Sequence, residues 1–229
     1  MRNNQAALFD RLAAWDRLYE YKPEALAAVN GLVKGKERLL DMGCGDGTLA
    51  AALDADFVVG FDLSERCAAL ARRKGIHALV ADAVGQLPFA PESFDTVYCI
   101  DVLHHLGRAW DPVFTELDRV LRCGGAVAIV EPDARNPLVR WTQAPHSPIR
   151  VAPFDNEPAI YPEELLAHLE RRGYACGCKP FQLDARQVVR DVFPLWQRLV
   201  KAPFVTALAY CCRRIPNKFL IIARKPLHA

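Results

Sequence analysis

Five short apolar runs, separated by turn residues and stretches of helical spacing, constrain this chain more than any other feature. They are Arg38–Met42, Phe57–Asp62, His77–Val80, Phe94–Ile100 and Ala126–Val130. Several are apolar at nearly every position instead of alternating, which is the pattern of strands covered on both faces. Between them the spacing predicts helices over Thr48–Leu53, from a Ser64 cap to about Lys74 with Glu65 in the first turn, and over Asp111–Leu121. Parallel strands joined this way need right-handed crossovers. The prediction is a doubly wound α/β domain with its ligand at the carboxyl ends of the strands. A helix over Pro162–Arg172 and strands over Tyr174–Leu183 and Lys218–Ala223 complete a mostly parallel, seven-stranded sheet.

The first 33 residues read as helical, with Leu8, Leu12, Trp15, Leu18 and Tyr19 on one face. The stretch 134–160 is proline-rich and loop-like, and 185–213 is a helical insertion before the last strand. At 229 residues the chain can bury a core without staples. Lys plus Arg (29) nearly balances Asp plus Glu (27), so charge gives no argument for a nucleic-acid partner. The opening MRNNQAALFDRLAAW lacks the apolar centre of a signal peptide. The eight cysteines contain no CxxC pair and are expected to be reduced thiols in a cytoplasm. A zinc site at Cys176-x-Cys178 is the alternative, and it would need two further ligands.

The most informative segment is Leu39-Leu40-Asp41-Met42-Gly43-Cys44-Gly45-Asp46-Gly47. Glycines let the backbone turn sharply and approach a ligand, and a helix start behind them offers free N–H groups. Thr48 stands where a dinucleotide fingerprint has its third glycine. An acid two residues before the first glycine would repel a pyrophosphate and suits a ligand with a cationic end. Asp62 ends the second strand, where a carboxylate can accept both hydroxyls of a ribose. Asp82 ends the third, placed to accept from an adenine amino group. Together the three acids describe a site for a nucleoside that carries positive charge and no phosphate. Cys44 lies beside that ligand and is read as inert, because neighbouring acids raise a thiol pKa. Asp95 is read as a loop acid.

These residues resemble the class I S-adenosylmethionine-dependent methyltransferases, in particular the small bacterial type with a short glycine loop and an LHH segment. The resemblance is carried by LLDMGCGDG (39–47), GFDLS (60–64), ADAVGQLPFAPESFDTVYCIDVLHHL (81–106) and LDRVLRCGGAVAIVEPD (117–133). It implies S-adenosylmethionine as cofactor, with Asp41, Gly43, Cys44, Gly45 and Gly47 around the methionine portion. Asp62 with Leu63 would lie at the ribose, Asp82 with Ala83 at the adenine, and Asp101 near the sulfonium. It also implies one Rossmann-like methyltransferase domain over 1–229: an N-terminal helical lid (1–35), a cofactor-binding core (36–133), an acceptor-side loop (134–160) and the insertion (185–213).

Methyl transfer from a sulfonium is an in-line displacement, for which the protein supplies alignment and desolvation. A hydroxyl acceptor also benefits from a base. His104 or His105 is the candidate, with packing of the turn as the other reading of His105. Glu131 and Asp133 are expected on the acceptor side, and His146 is a further candidate in the proline-rich stretch. No metal is expected, since a catechol-type site needs clustered acids beyond those given to the cofactor. Asp101-Val102-Leu103-His104 replaces the Pro-Pro motif of enzymes that methylate nucleobase amino groups. The expected function is methyl transfer to oxygen of a small or lipid-like organic acceptor. Alternatives are a tRNA or protein methyltransferase, or a non-catalytic binding module. The insertion pairs apolar Phe193, Trp196 and Phe204 with basic Arg198, Lys201 and Arg213. This suits a cap, a dimer contact, or peripheral contact at the inner face of a membrane.

Overall fold

The computed structural model describes residues 6–7, 9–10, 23–32, 37–144, 159–181 and 216–227. Its centre is one seven-stranded sheet: β1 (Arg38–Met42), β2 (Phe57–Asp62), β3 (His77–Val80), β4 (Phe94–Ile100), β5 (Leu121–Pro132), β6 (Ala175–Phe181) and β7 (Lys218–Arg224). The order is β3-β2-β1-β4-β5-β7-β6. β1 to β5 are parallel, and β7 is antiparallel to both β5 and β6. Strand order reverses at β1, so β1 and β4 flank the point where an open sheet of this kind leaves a crevice.

Successive side chains of a strand point to opposite faces. Leu40, Met42, Val97 and Cys99 therefore join one core with α3 (Trp110–Val120) and α5 (Pro162–Arg171), through Phe114, Leu117, Leu165 and Leu169. Leu39, Val58 and Tyr98 join the other with α2 (Glu65–Arg73), through Ala68 and Ala71. The segment expected to form a lid contributes α1 (Pro23–Asn30) to this second layer, with Ala25 and Val29 wholly buried. Residues 6–7 and 9–10 are helical, whereas Leu8, Leu12, Trp15, Leu18 and Tyr19 lie outside the described residues. So do His146 and the whole insertion 185–213, on which the expected membrane contact rests. No helix among the described residues is long and apolar enough to cross a membrane.

Three local expectations need correction. The helix over Thr48–Leu53 is a single 3-10 turn, Ala50–Ala52. The glycine loop before it and the extended Leu53 after it leave too few residues to propagate a helix, and a lone turn is a poor nucleus. The proline-rich stretch begins with a helix, α4 (Pro137–Gln143), because Asn136 accepts from the N–H groups of Leu138 and Val139 and Pro137 suits the first turn. β5 runs beyond Ala126–Val130 at both ends: β7 extends the ladder to Pro132, and Leu121 pairs with Phe94 of β4 across a register shift.

Ser64 caps α2 as expected, accepting from Cys67 N. Gly47 sits where α2 crosses the loop, at φ +75°, and a Cβ there would lie 2.9 Å from both Cα and Cβ of Ala71. Gly75 has a similar φ of +85° with nothing within 4 Å of such a Cβ. Gly75→Ala should therefore cost about 1–2 kcal/mol from backbone strain alone. Gly47→Ala should cost about 1–3 kcal/mol more from overpacking. Urea unfolding of the two variants checks the difference, and equal losses would show that the close approach to α2 is not limiting.

Candidate active site

The glycine loop is tied to the end of the neighbouring strand. Gly43 N and Cys44 N donate to Phe61 O at 2.8 and 3.0 Å. Asp62 Oδ2 accepts from Gly45 N at 2.9 Å, and its Oδ1 accepts from Ser64 N at 2.8 Å. The carboxylate predicted for ligand binding thus also fixes both the loop and the cap of α2. On the outer side, Lys74 Nζ bridges Asp46 Oδ2 and Thr48 Oγ1, each at 2.6 Å. Asp46 Oδ1 accepts from Thr48 N, so part of the expected supply of free N–H groups is used internally. The glycines serve packing as much as ligand approach: a Cβ at Gly43 would lie 2.5 Å from Val102 Cγ2.

Asp41 is the buried acid of this edge, 4% exposed. Burial pushes its carboxyl from 3.8 up to about 8, and the nearby Asp62 charge adds to the rise. Tyr98, its partner in register on β4, acts in the opposite direction, although its hydroxyl stops short of a well-formed hydrogen bond. Burial also raises Asp62 above the usual carboxylate range. Neither acid carries a salt bridge to a described residue. The Cys44 thiol is raised far above its usual value, first by burial and then by Asp41 and Asp62, consistent with the inert reading.

Asp82 continues the edge. Ala81 N donates to Asp62 O, and Asp82 Oδ1 accepts from Val84 N at 3.0 Å, an Asx turn. Leu63, Asp82 and Ala83 are half-buried. The loop beyond is clamped from α3: Arg119 donates to Leu87 O and Phe89 O while Glu116 accepts from Leu87 N. Asp95 lies within β4 and pairs with Arg38 and Arg122 at the opposite end of the sheet, so it belongs to the scaffold.

The end of β4 holds a second cluster. Asp101 takes a left-handed φ of 59°, and its N–H donates to Val130 O at 2.8 Å. This bend leads into a 3-10 turn, Leu103–Leu106. Glu131, wholly buried on β5, accepts from Val102 N and Leu103 N on Oε1 and meets His104 Nδ1 on Oε2 at 2.6 Å. The His105 ring lies 3.9 Å from that of His104 and 5.2 Å from Phe9, edge-on to the latter. Asp101 pairs with Lys218 of β7. Asp133, wholly buried beyond the end of β5, is bonded to two guanidinium nitrogens of Arg135, which compensate its burial.

The two clusters adjoin: the buried Cys99 thiol feels the charges of Glu131, Asp41 and Asp101 together. The clustered acids that the sequence reading did not see are therefore present. Donor atoms of Asp101, His104 and Glu131 lie within 4.8 Å of one another. Within this set two backbone N–H groups donate to Glu131, and the Lys218 ammonium pairs with Asp101. Lys218 and Tyr98 had no local signal; each is defined by a partner on another strand.

The sequence profile of the methyltransferase domain family matches residues 40–129, the segment that carries Asp41, the glycine loop, Asp62, Asp82, Asp101 and His104. Residues 40–129 thus carry a methyltransferase domain. A tRNA (carboxymethyluridine(34)-5-O)-methyltransferase of Arabidopsis thaliana is 34% identical over 138 residues, 58% of this chain and 32% of the relative. The 27-O-demethylrifamycin SV methyltransferase of Amycolatopsis mediterranei is 35% identical over 108 residues, 42% of this chain and 39% of the relative. The chain thus spans about a third of the length of these two relatives. In fold it is similar to phosphoethanolamine N-methyltransferase 2 of Haemonchus contortus, solved with S-adenosyl-L-methionine, at TM-score 0.66 and 20% identity over 89% of this chain and 52% of that one.

The site fits S-adenosylmethionine as cofactor. Two buried carboxylates without a cationic partner among the described residues suit a ligand that brings an ammonium, a sulfonium and a ribose. The ligand-free fold binds the Asp41 proton more tightly than the unfolded chain does, so stability should fall as pH rises from about 4 to about 8. Urea unfolding at about pH 5 and about pH 8 should show a loss of at least ~1 kcal/mol, and Asp41→Asn should remove most of it. An unchanged pH slope in the variant would show that Asp41 is not the group responsible.

Proposed function

We propose that this chain transfers a methyl group to a hydroxyl oxygen of a small or lipid-like organic acceptor, with His104 as general base. The observation that carries the reading is the His104–Glu131 pair. A carboxylate already accepting two N–H groups is an acceptor toward imidazole, so the proton sits on His104 Nδ1. That leaves Nε2 to accept a proton, the division of labour of an oriented base. When bound, S-adenosylmethionine supplies a methyl group already activated by its sulfonium.

The chain's own groups bind, orient and exclude water. Asp41, with the loop residues Gly43, Cys44, Gly45 and Gly47, would receive the methionine end. Asp62 and Leu63 would receive the ribose, Asp82 and Ala83 the adenine, and Asp101 would face the sulfonium. Asp62 remains competent while holding the loop, because each carboxylate oxygen has a second lone pair. His105 and Phe9 furnish an aromatic wall beside His104, which supports a packing and shaping role for His105. The names of both relatives specify transfer to oxygen, which supports a hydroxyl acceptor. The Arabidopsis relative keeps tRNA as the second reading of the acceptor.

His104→Gln should lower turnover by about 10²–10⁴-fold and flatten the acidic limb of the pH profile, with cofactor affinity unchanged. His105→Gln should cost only a few-fold. The assay is transfer of labelled methyl groups into cell extract separated into organic-soluble, tRNA and protein fractions. Label in the organic-soluble fraction, lost in His104→Gln, supports the reading. Label in tRNA moves the acceptor to the second reading, and no transfer into any fraction would favour a binding module.

A further inference from the structure

Two consecutive residues near the start of the chain touch both sides of the cofactor edge. Asp10 Oδ1 accepts from Arg66 N at 3.2 Å and from the Ser64 hydroxyl, at the start of α2. Phe9 packs edge-on to the His105 ring, 5.2 Å away, in the turn after β4. The first anchor follows β2 and the second follows β4, and β1 with its glycine loop lies between those strands. Residues 9–10 are helical. Successive side chains of a helix diverge by about 100°, so one short segment can reach two neighbours at once. Ser64 is wholly buried and carries the contact inward: its Oγ accepts from Cys67 N at 3.0 Å, and its own N–H donates to Asp62 Oδ1. Asp10 thus adds a carboxylate at a helix start, where negative charge is favoured, next to the acid expected at the ribose.

We propose that residues 9–10 form a strap across the mouth of the cofactor crevice, latched by Asp10 beside Asp62 and seated by Phe9 on His105, so that the protein admits and releases cofactor only when the strap opens. The inference rests on the cofactor assignment of Asp41 and Asp62. α1, from the same N-terminal stretch, is fixed in the core by Ala25 and Val29 and cannot move without disturbing the sheet. Phe9 and Asp10 are only half-buried, so their release exposes little apolar surface. Burial first, and then the Asp10 charge, raise the Asp62 carboxyl, so the latch closes against like charge. Hydroxyl donors on Asp62 offset that charge, and the strap holds more firmly with cofactor bound. Asp10 and Phe9 are positioning residues, acting through Ser64 and His105.

The test is surface plasmon resonance of S-adenosylmethionine and S-adenosylhomocysteine over the immobilised full chain, which reads entry and exit separately. Asp10→Ala should raise both the association and the dissociation rate, dissociation by roughly tenfold for the loss of hydrogen bonds to a charged acceptor. Asp10→Asn should keep both rates close to wild type, because the Ser64 hydroxyl and Arg66 N meet the same oxygen and an amide oxygen has two lone pairs. Phe9→Ala releases the opposite anchor and should speed both rates as well, which keeps the test available if Asp10→Ala does not fold. If Asp10 serves only to cap α2, Asp10→Ala lowers the urea midpoint and leaves both rates at their wild-type values, which overturns the strap. A rise in dissociation alone also overturns it, because that marks a wall of the site instead of a gate. Failure of the cofactor assignment gives a different result: Asp62→Ala binds both ligands with wild-type affinity, whatever the Asp10 variants do. That outcome places the cofactor elsewhere and removes the inference with it.

Discussion

Like-charge crowding at one edge of the sheet is the constraint that organises this protein. Asp41 on β1, Asp62 on β2, Asp101 after β4 and Glu131 on β5 all reach the carboxyl ends of parallel strands, where water is largely excluded. Carboxylates buried this close cannot all stay ionised without compensation. Each has a different answer. Asp62 is held by Gly45 N and Ser64 N; Glu131 by two backbone N–H groups and the His104 ring; Asp101 by the Lys218 ammonium. Among the described residues Asp41 has only the imperfect help of Tyr98, and burial raises its carboxyl accordingly. The acid with the poorest internal compensation has the most to gain from a cationic ligand, which makes the resting site receptive to one.

The surrounding scaffold keeps these groups in place. Gly43 and Gly47 allow Val102 and α2 to approach the loop, so the glycine motif sets the distance between the cofactor edge and the β4 cluster. The Arg119–Glu116 clamp fixes the backbone after Asp82 from the underlying helix, through three hydrogen bonds to main-chain atoms of Leu87 and Phe89. The left-handed turn at Asp101 redirects the chain so that Val102 and Leu103 present their N–H groups to Glu131. A strained residue at this point is consistent with a functional demand on its position.

The order of elements and the acids at the strand ends were legible in the sequence because both are encoded locally. An apolar run followed by a turn residue marks a buried strand and its end, and the acids at positions 41, 62 and 82 occupy those ends by construction. Ser64 as a cap was readable for the same reason, since its partner Cys67 N is three residues away. Misreadings came where local pattern yields to chain length or to a distant partner. Thr48–Leu53 has helical composition but room for one turn, and β5 lengthens because β7 pairs with it.

Tertiary structure alone decided which charge meets which. Nothing near His104 in sequence marks Glu131 as its partner in preference to Asp133, yet the pleat of β5 turns Glu131 to the imidazole, while Asp133, beyond the strand, meets Arg135. Nothing near Asp101 announces Lys218, because an antiparallel last strand brings the two together from opposite parts of the chain. The sequence by itself determined that a cationic nucleoside could be held at the strand ends, since strand ends follow from local hydrophobic pattern. How the remaining charges are balanced there was left to the sheet, because electrostatic pairing depends on distance in space and low-dielectric burial, and neither is a local property of the chain.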